Sequence, residues 1–254
     1  MPDATKTKYI LLTLKKIYIF LFAILLVSAF DANAQRRRNN QVIKAYPSIG
    51  FTASQIRGDE LRGFKKWGMS AGVGAIIDLA DRGQWQLSVE ADFAQRGAFN
   101  NTNDPYSLID FTMNYVDIPL TLHFTDPYGG MTFGLGFVYS RLVQQPHGMI
   151  FYSPAYFVPD TGDMGFLRND FSIAADIRFP IWRGLTLNVR YQHSFMPIKK
   201  NWHFTEHYST AENDFKTWSN DCYNSSVTVR LLYVFGDQPR KKYANKNHYK
   251  KRKR

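Results

Sequence analysis

From Gln84 to Phe93 the chain changes polarity at every step. Trp85, Leu87, Val89, Ala91 and Phe93 form one apolar face, and Gln86, Ser88, Glu90 and Asp92 form a polar one. A period of two marks a strand whose two sides meet different surroundings. The same pattern recurs along the chain and predicts eight strands, at about 45–54, 67–79, 84–96, 112–125, 131–143, 167–180, 185–195 and 222–235. In the second, Met69, Ala71, Val73, Ala75, Ile77 and Leu79 oppose Ser70, Gly72, Gly74 and Asp78; in the sixth, Phe171, Ile173, Ala175, Ile177 and Phe179 oppose Asp170, Ser172, Asp176 and Arg178. Short turns follow strands two, four and six (Asp81-Arg82-Gly83, Asp126 to Gly130, Trp182-Arg183-Gly184), while longer connections such as 97–111, 144–166 and 196–221 follow the others.

That rhythm is the one expected of an all-β, eight-stranded antiparallel up-and-down transmembrane β-barrel over 45–236, with short periplasmic turns and longer extracellular loops. A soluble lipocalin-like barrel would show the same alternation with its charges turned to water. Trp67, Trp85, Phe124, Tyr128, Phe179, Trp182, Tyr233 and Phe235 fall near strand ends, where the aromatic girdles of a membrane barrel belong, and favour the membrane form.

The first residues point the same way. Lys6, Lys8, Lys15 and Lys16 precede an apolar run from Ile17 to Phe30, and Ala32-Asn33-Ala34 supplies the small residues of a cleavage site, which predicts a signal peptide over 1–34 cut between Ala34 and Gln35. The alternative, a signal anchor, requires a longer apolar run than this one, since a helix needs about 20 residues to span. Cys222 is the single cysteine, so the chain builds no internal disulfide.

The formal charge of +11 is unevenly placed: the signal segment carries +2, Arg36-Arg37-Arg38 carries +3, the tail from Asp237 carries +8, and the body 39–236 carries −2. Basic flanks are first of all candidates for nucleic acid. An exported chain meets none, so the expected partners are outer-membrane lipid and, through the flanks at 35–44 and 237–254, a periplasmic protein or an anionic surface. The tail combines like charge with little apolar material and is expected to be disordered and periplasmic.

Several segments resemble a known group. Gly50 to Ile56, Trp67 to Gly72 and Glu90 to Gly97 are similar to the first three strands of the PorT-type outer-membrane β-barrel family of Bacteroidetes. Asn114-Tyr115-Val116-Asp117-Ile118-Pro119-Leu120 resembles its Tyr-x-x-Ile-Pro-Leu strand, and Arg190-Tyr191 and Val227 to Phe235 fit as well. The resemblance spans roughly 46–236, with strands six and seven fitting loosely and 19 residues following Phe235. It implies a membrane barrel and, through the family's founding member, a link to the type IX secretion system.

Motifs with chemistry are few. His203-Phe204-Thr205-Glu206-His207 matches a zinc-peptidase pattern that requires both histidines on one helical face, but it lies in an aromatic, Asn/Ser/Thr-rich loop. His193-Ser194 suggests the serine–histidine chemistry of outer-membrane phospholipases, yet neighbours on a strand point to opposite faces. His123 is expected to be a hydrogen-bonded lumen residue. Pro119, inside a strand, suggests a bulge. The aromatics of 144–166 and 196–221 could make a binding surface or continue the strands above the membrane. The expectation is therefore a non-enzymatic protein with no cofactor, no metal and no catalytic residue, the alternative being a small lipid-modifying enzyme. Eight strands leave an interior just wide enough for side chains, so Glu90, Asp92, Asp117, Asp176, Arg178, Arg190 and Arg230 are expected to pair there as a charge network that closes the lumen.

Overall fold

The computed structural model describes residues 43–59, 63–79, 84–101, 107–127, 129–152, 165–207 and 215–235. The proposed signal peptide, its Ala34/Gln35 cut and both basic flanks up to residue 42 and beyond residue 235 lie outside the described residues.

Nine strands are present among the described residues: β1 (Ile43–Arg57), β2 (Lys66–Asp78), β3 (Trp85–Asn101), β4 (Ser107–Thr125), β5 (Thr132–Tyr152), β6 (Asn169–Trp182), β7 (Leu185–Ser194), β8 (Lys199–His207) and β9 (Phe215–Tyr233). Neighbours pair antiparallel in the order β1-β2-β3-β4-β5-β6-β7-β9, and β1 also pairs with β9, from Ser48↔Leu232 to Arg57↔Tyr223, which closes the sheet on itself. The barrel thus has the expected eight strands. β8 stands outside the ring and pairs with the upper part of β9.

Apolar residues occupy the outer face. Trp67, Phe137, Leu135 and Phe51 are 62–70 % exposed, and Val89, Val116, Ile118, Leu120, Ile173, Val229 and Leu231 are exposed beside them. A water-facing surface of this kind would be far larger than the few hundred Å2 that soluble monomers tolerate. Closure removes the sheet edges that lipid could not satisfy, and the alternation of each strand delivers its polar residues to the lumen. At the periplasmic end, β6 and β7 are joined by Arg183 and Gly184 alone, both at positive φ (33° and 87°), as the tightest hairpin turn requires.

The structure changes the sequence expectations in two places. The segment expected as a loop over 97–111 is mostly strand, because β3 runs to Asn101 and β4 starts at Ser107. For 144–166 and 196–221, where strand extension is one of the two readings left open, β5 continues to Tyr152, and the 196–221 connection contains β8 and the first rungs of ladder in β9. Backbone pairing carries on above the membrane, where no change of hydropathy pattern reports it. Pro119 makes no bulge: the β3–β4 ladder skips Glu90 and Ala91 yet resumes in the same register, Val89↔Leu120 and Asp92↔Asp117. A missing N–H therefore costs a ladder bond here without adding a residue. Irregularities occur instead near Asn114 and between Pro180 and Trp182.

Candidate functional site

The lumen holds a charge cluster that four strands build together. Inward phase on β3 brings Glu90 and Asp92, on β6 Asp176 and Arg178, on β7 Arg190 and on β9 Arg230, all buried. Cross-strand register sets their heights, with Asp176 opposite Arg190 and Asn188 opposite Arg230. Glu90 is the hub: Arg190 donates to both carboxylate oxygens at 2.8 and 3.0 Å, Arg230 Nη2 donates at 2.5 Å and Arg178 Nη2 at 3.1 Å. Arg190 also donates to Asp176 at 2.7 Å, and Arg230 donates to Asp92 at 2.6 Å and to Asn188 at 2.8 Å. Three carboxylates thus meet three guanidiniums. Such forked, charge-assisted bonds are the geometry arginine suits best, and the balance of charge is what permits burial at all.

Six of the seven residues expected in this network meet in one cluster, and Asp117 does not. It pairs with Arg96, one layer toward the extracellular end, and Arg96 also donates to Gln192 at 3.0 Å. Arg96 is a lumen charge that the sequence analysis does not single out, although it continues the inward phase of Glu90 and Asp92 on β3. Tyr46 is a neutral partner also missed: its hydroxyl accepts from Arg178 at 3.3 Å and its ring lies beneath that guanidinium. Nothing in a lone tyrosine of β1 could have announced a partner on β6. His123 is fully buried, with Nε2 2.9 Å from Asp176 Oδ1 and Nδ1 3.5 Å from the Ser88 hydroxyl.

Apolar layers lie on either side of the charges. Tyr46, Ile76, Leu232 and Val234 cluster below. Above, Ile56, Phe111, Met113, Tyr115, Leu142, Phe166, Ile198, Trp202 and Cys222 pack into one cluster, tying β1, β4 and β5 to β8 and β9. Lys199 sits over the rings of Trp202 and Phe166, 4.8 and 5.3 Å from their centres. The interior is therefore a layered plug, and what it can do chemically is hold the barrel shut.

The other candidates separate. The 203–207 motif lies on strand β8, where Cα atoms four residues apart stand about 13 Å from one another, so the helical geometry that zinc would need is missing from the backbone. Ser194 points inward and donates to Asp170 at 2.7 Å. His193 points the other way, and its Nδ1 lies 2.7 Å from the hydroxyl of Ser225, its register partner on β9. His193 and Ser194 form no dyad.

With closure, an apolar exterior and a filled lumen established, comparison with known proteins places the chain. Residues 22–235 match the family described as outer membrane protein beta-barrel domain. The chain belongs to that family. This outer-membrane β-barrel accordingly resides in the cell outer membrane. No curated protein matches the sequence. Among solved structures it is similar to Ail, the attachment invasion locus protein of Yersinia pestis, solved in complex with the heparin analogue sucrose octasulfate (13 % identity, 77 % of this chain and 100 % of Ail, TM-score 0.39). It is also similar to Neisserial surface protein A (11 % identity, 74 % and 96 % of the two chains, TM-score 0.41) and to a major outer membrane protein from Thermus thermophilus (13 % identity, 77 % and 100 %, TM-score 0.40).

A plugged lumen makes an electrical prediction. In planar bilayers the full-length outer-membrane barrel is expected to show no stable, ion-selective conductance. Steady unitary steps with a defined cation or anion preference would mean that ions bypass the Glu90 cluster.

Proposed function

We propose that this protein is a non-enzymatic outer-membrane barrel with a structural or interaction role, acting as an accessory to protein secretion of the type IX kind. The observation that carries this reading is the filled interior: Glu90 gathers three guanidiniums across the lumen, leaving the outer face, the rim and the basic flanks as the surfaces on which partners can be met. The PorT-type resemblance at Asn114 to Leu120 and Val227 to Phe235 supports the secretory role and a Bacteroidetes source. The basic tail supplies the means of contact, an electrostatic grip on an acidic periplasmic partner.

Deleting the chain from its source bacterium is expected to leave secreted cargo in the periplasm, measured by cell fractionation, with export restored by the full chain and not by a chain lacking 239–254 that still inserts. Undisturbed export in the deletion strain would overturn the secretory role.

One observation favours a second reading, a small lipid-modifying enzyme: the His193–Ser225 hydrogen bond of 2.7 Å lies on the outward face beside Tyr191, and a histidine within reach of a hydroxyl is the start of a nucleophilic pair. Ser225 is only 1 % exposed, which withholds the hydroxyl from a substrate, and we expect no lipid deacylation by the purified protein. Turnover abolished by both His193→Ala and Ser225→Ala, with Ser194→Ala unaffected, would replace the non-enzymatic reading.

A further inference from the structure

Near the extracellular rim, the outward faces of β5 and β6 and the end of β7 carry a continuous aromatic shelf. Tyr139 lies 5.3 Å from Phe171, and Phe171 lies 6.5 Å from Phe195, ring centre to ring centre. Phe137, Leu135 and Ile173, all exposed, continue the apolar surface down toward the middle of the membrane. Immediately above the shelf, Arg141 Nη1 donates to Asn169 Oδ1 at 2.5 Å, and the same oxygen accepts from the Tyr139 hydroxyl at 3.0 Å. Arg141 and Asn169 are register partners on β5 and β6, and exposed Arg168 is the next residue in the chain.

The guanidinium is thus held in place by neutral groups. Among the described residues no carboxylate pairs with Arg141, whereas Lys66 at the same rim has Asp110 and the lumen arginines have Glu90, Asp92, Asp176 and Asp117. This fixed cation, set above an exposed apolar surface, thus has no carboxylate counter-ion among the described residues. Arginine's planar fork matches a phosphate as well as it matches a carboxylate.

We propose that Arg141, Asn169 and the Tyr139–Phe171–Phe195 shelf form a binding site for a phosphorylated lipid of the outer leaflet. The phosphate takes two N–H groups of Arg141 and one from the Asn169 amide, and the acyl chains lie along Phe171, Phe137 and Ile173. The site is independent of the secretory reading and requires only that the barrel sit in the outer membrane.

The test uses the full chain in phosphatidylcholine nanodiscs doped with a diphosphorylated glucosamine-based lipid or with the same lipid stripped of its phosphates, the lipid retained after dilution being counted by mass spectrometry. Enrichment of the phosphorylated form by about tenfold is expected, the order of one forked charge-assisted contact. Arg141→Gln and, separately, Asn169→Ala should each remove most of it, while Arg183→Gln at the periplasmic turn should leave it unchanged. Folding of every variant is checked by heat-modifiable gel mobility; should Arg141→Gln fail to insert, Asn169→Ala, which keeps the charge, decides. Equal retention of the two lipids, or full enrichment in a folded variant of either residue, overturns the proposal. So does complete displacement of the lipid by millimolar inorganic phosphate, which would make the shelf irrelevant and the site one for free phosphate.

Discussion

Replacing Glu90 by glutamine is expected to destabilise the inserted barrel by about 3–5 kcal/mol, the usual consequence of removing one member of a buried, hydrogen-bonded charge set. Glu90 is 2 % exposed, and its carboxylate receives bonds from Arg190, Arg230 and Arg178. Glutamine keeps the volume but leaves the three guanidiniums facing one another with only Asp92 and Asp176 nearby, and an uncompensated buried charge is more expensive than the lost bonds. Urea unfolding from lipid vesicles measures the effect. Pairing the change with Arg190→Gln should recover part of the loss, since coupled charges are not additive. A cost below about 1 kcal/mol, the range of solvent-exposed pairs, would show that water reaches the cluster and that the lumen is not sealed there.

The other large effect is expected at the seam that makes the barrel a barrel. Gly50 on β1 lies opposite Arg230 on β9, and a Cβ added there would stand 2.2 Å from the Val229 carbonyl oxygen and 2.5 Å from the Arg230 Cα. Both obstacles are backbone, so no side-chain rotation relieves them. Gly50→Val should therefore separate β1 from β9 while displacing the arginine that binds Glu90 and Asp92. Overpacking of this kind costs about 3 kcal/mol where the core can shift and more where it cannot. The measurement is the fraction of protein that acquires heat-modifiable mobility on insertion, with lipid-facing Ile49→Val, 60 % exposed in the parent, as the control. Insertion of Gly50→Val at the control's level would show that the seam opens without consequence.

The outer face of the barrel could be read directly from the residues. Trp85, Val89 and Phe93 on β3, and Val116, Ile118, Leu120 and Leu122 on β4, are exposed as their alternation requires, because a strand offers only two sides and one of them must face lipid. The hairpin ends were less visible. Residues 97–101, 107–111 and 144–152 belong to strands, yet above the membrane neither face meets lipid and the period of two loses its physical cause. Pro119 misled for a related reason: the sequence reports that a donor is missing, but only the paired strand shows whether the register absorbs the gap.

At the candidate site, parity within each strand already fixes which residues enter the lumen: Glu90 and Asp92 share one parity on β3, Asp176 and Arg178 on β6. Partnership was decided by the tertiary structure alone. Glu90 and Arg230 are 140 positions apart and meet at 2.5 Å, and Asp117 turns from that cluster to Arg96, because the height of a side chain in a closed barrel depends on the stagger accumulated around the whole ring. The same holds on the outside, where His193 adjoins Ser194 in the chain and bonds Ser225 across the sheet. Parity is a local property of a strand, whereas register is a property of every strand pair together.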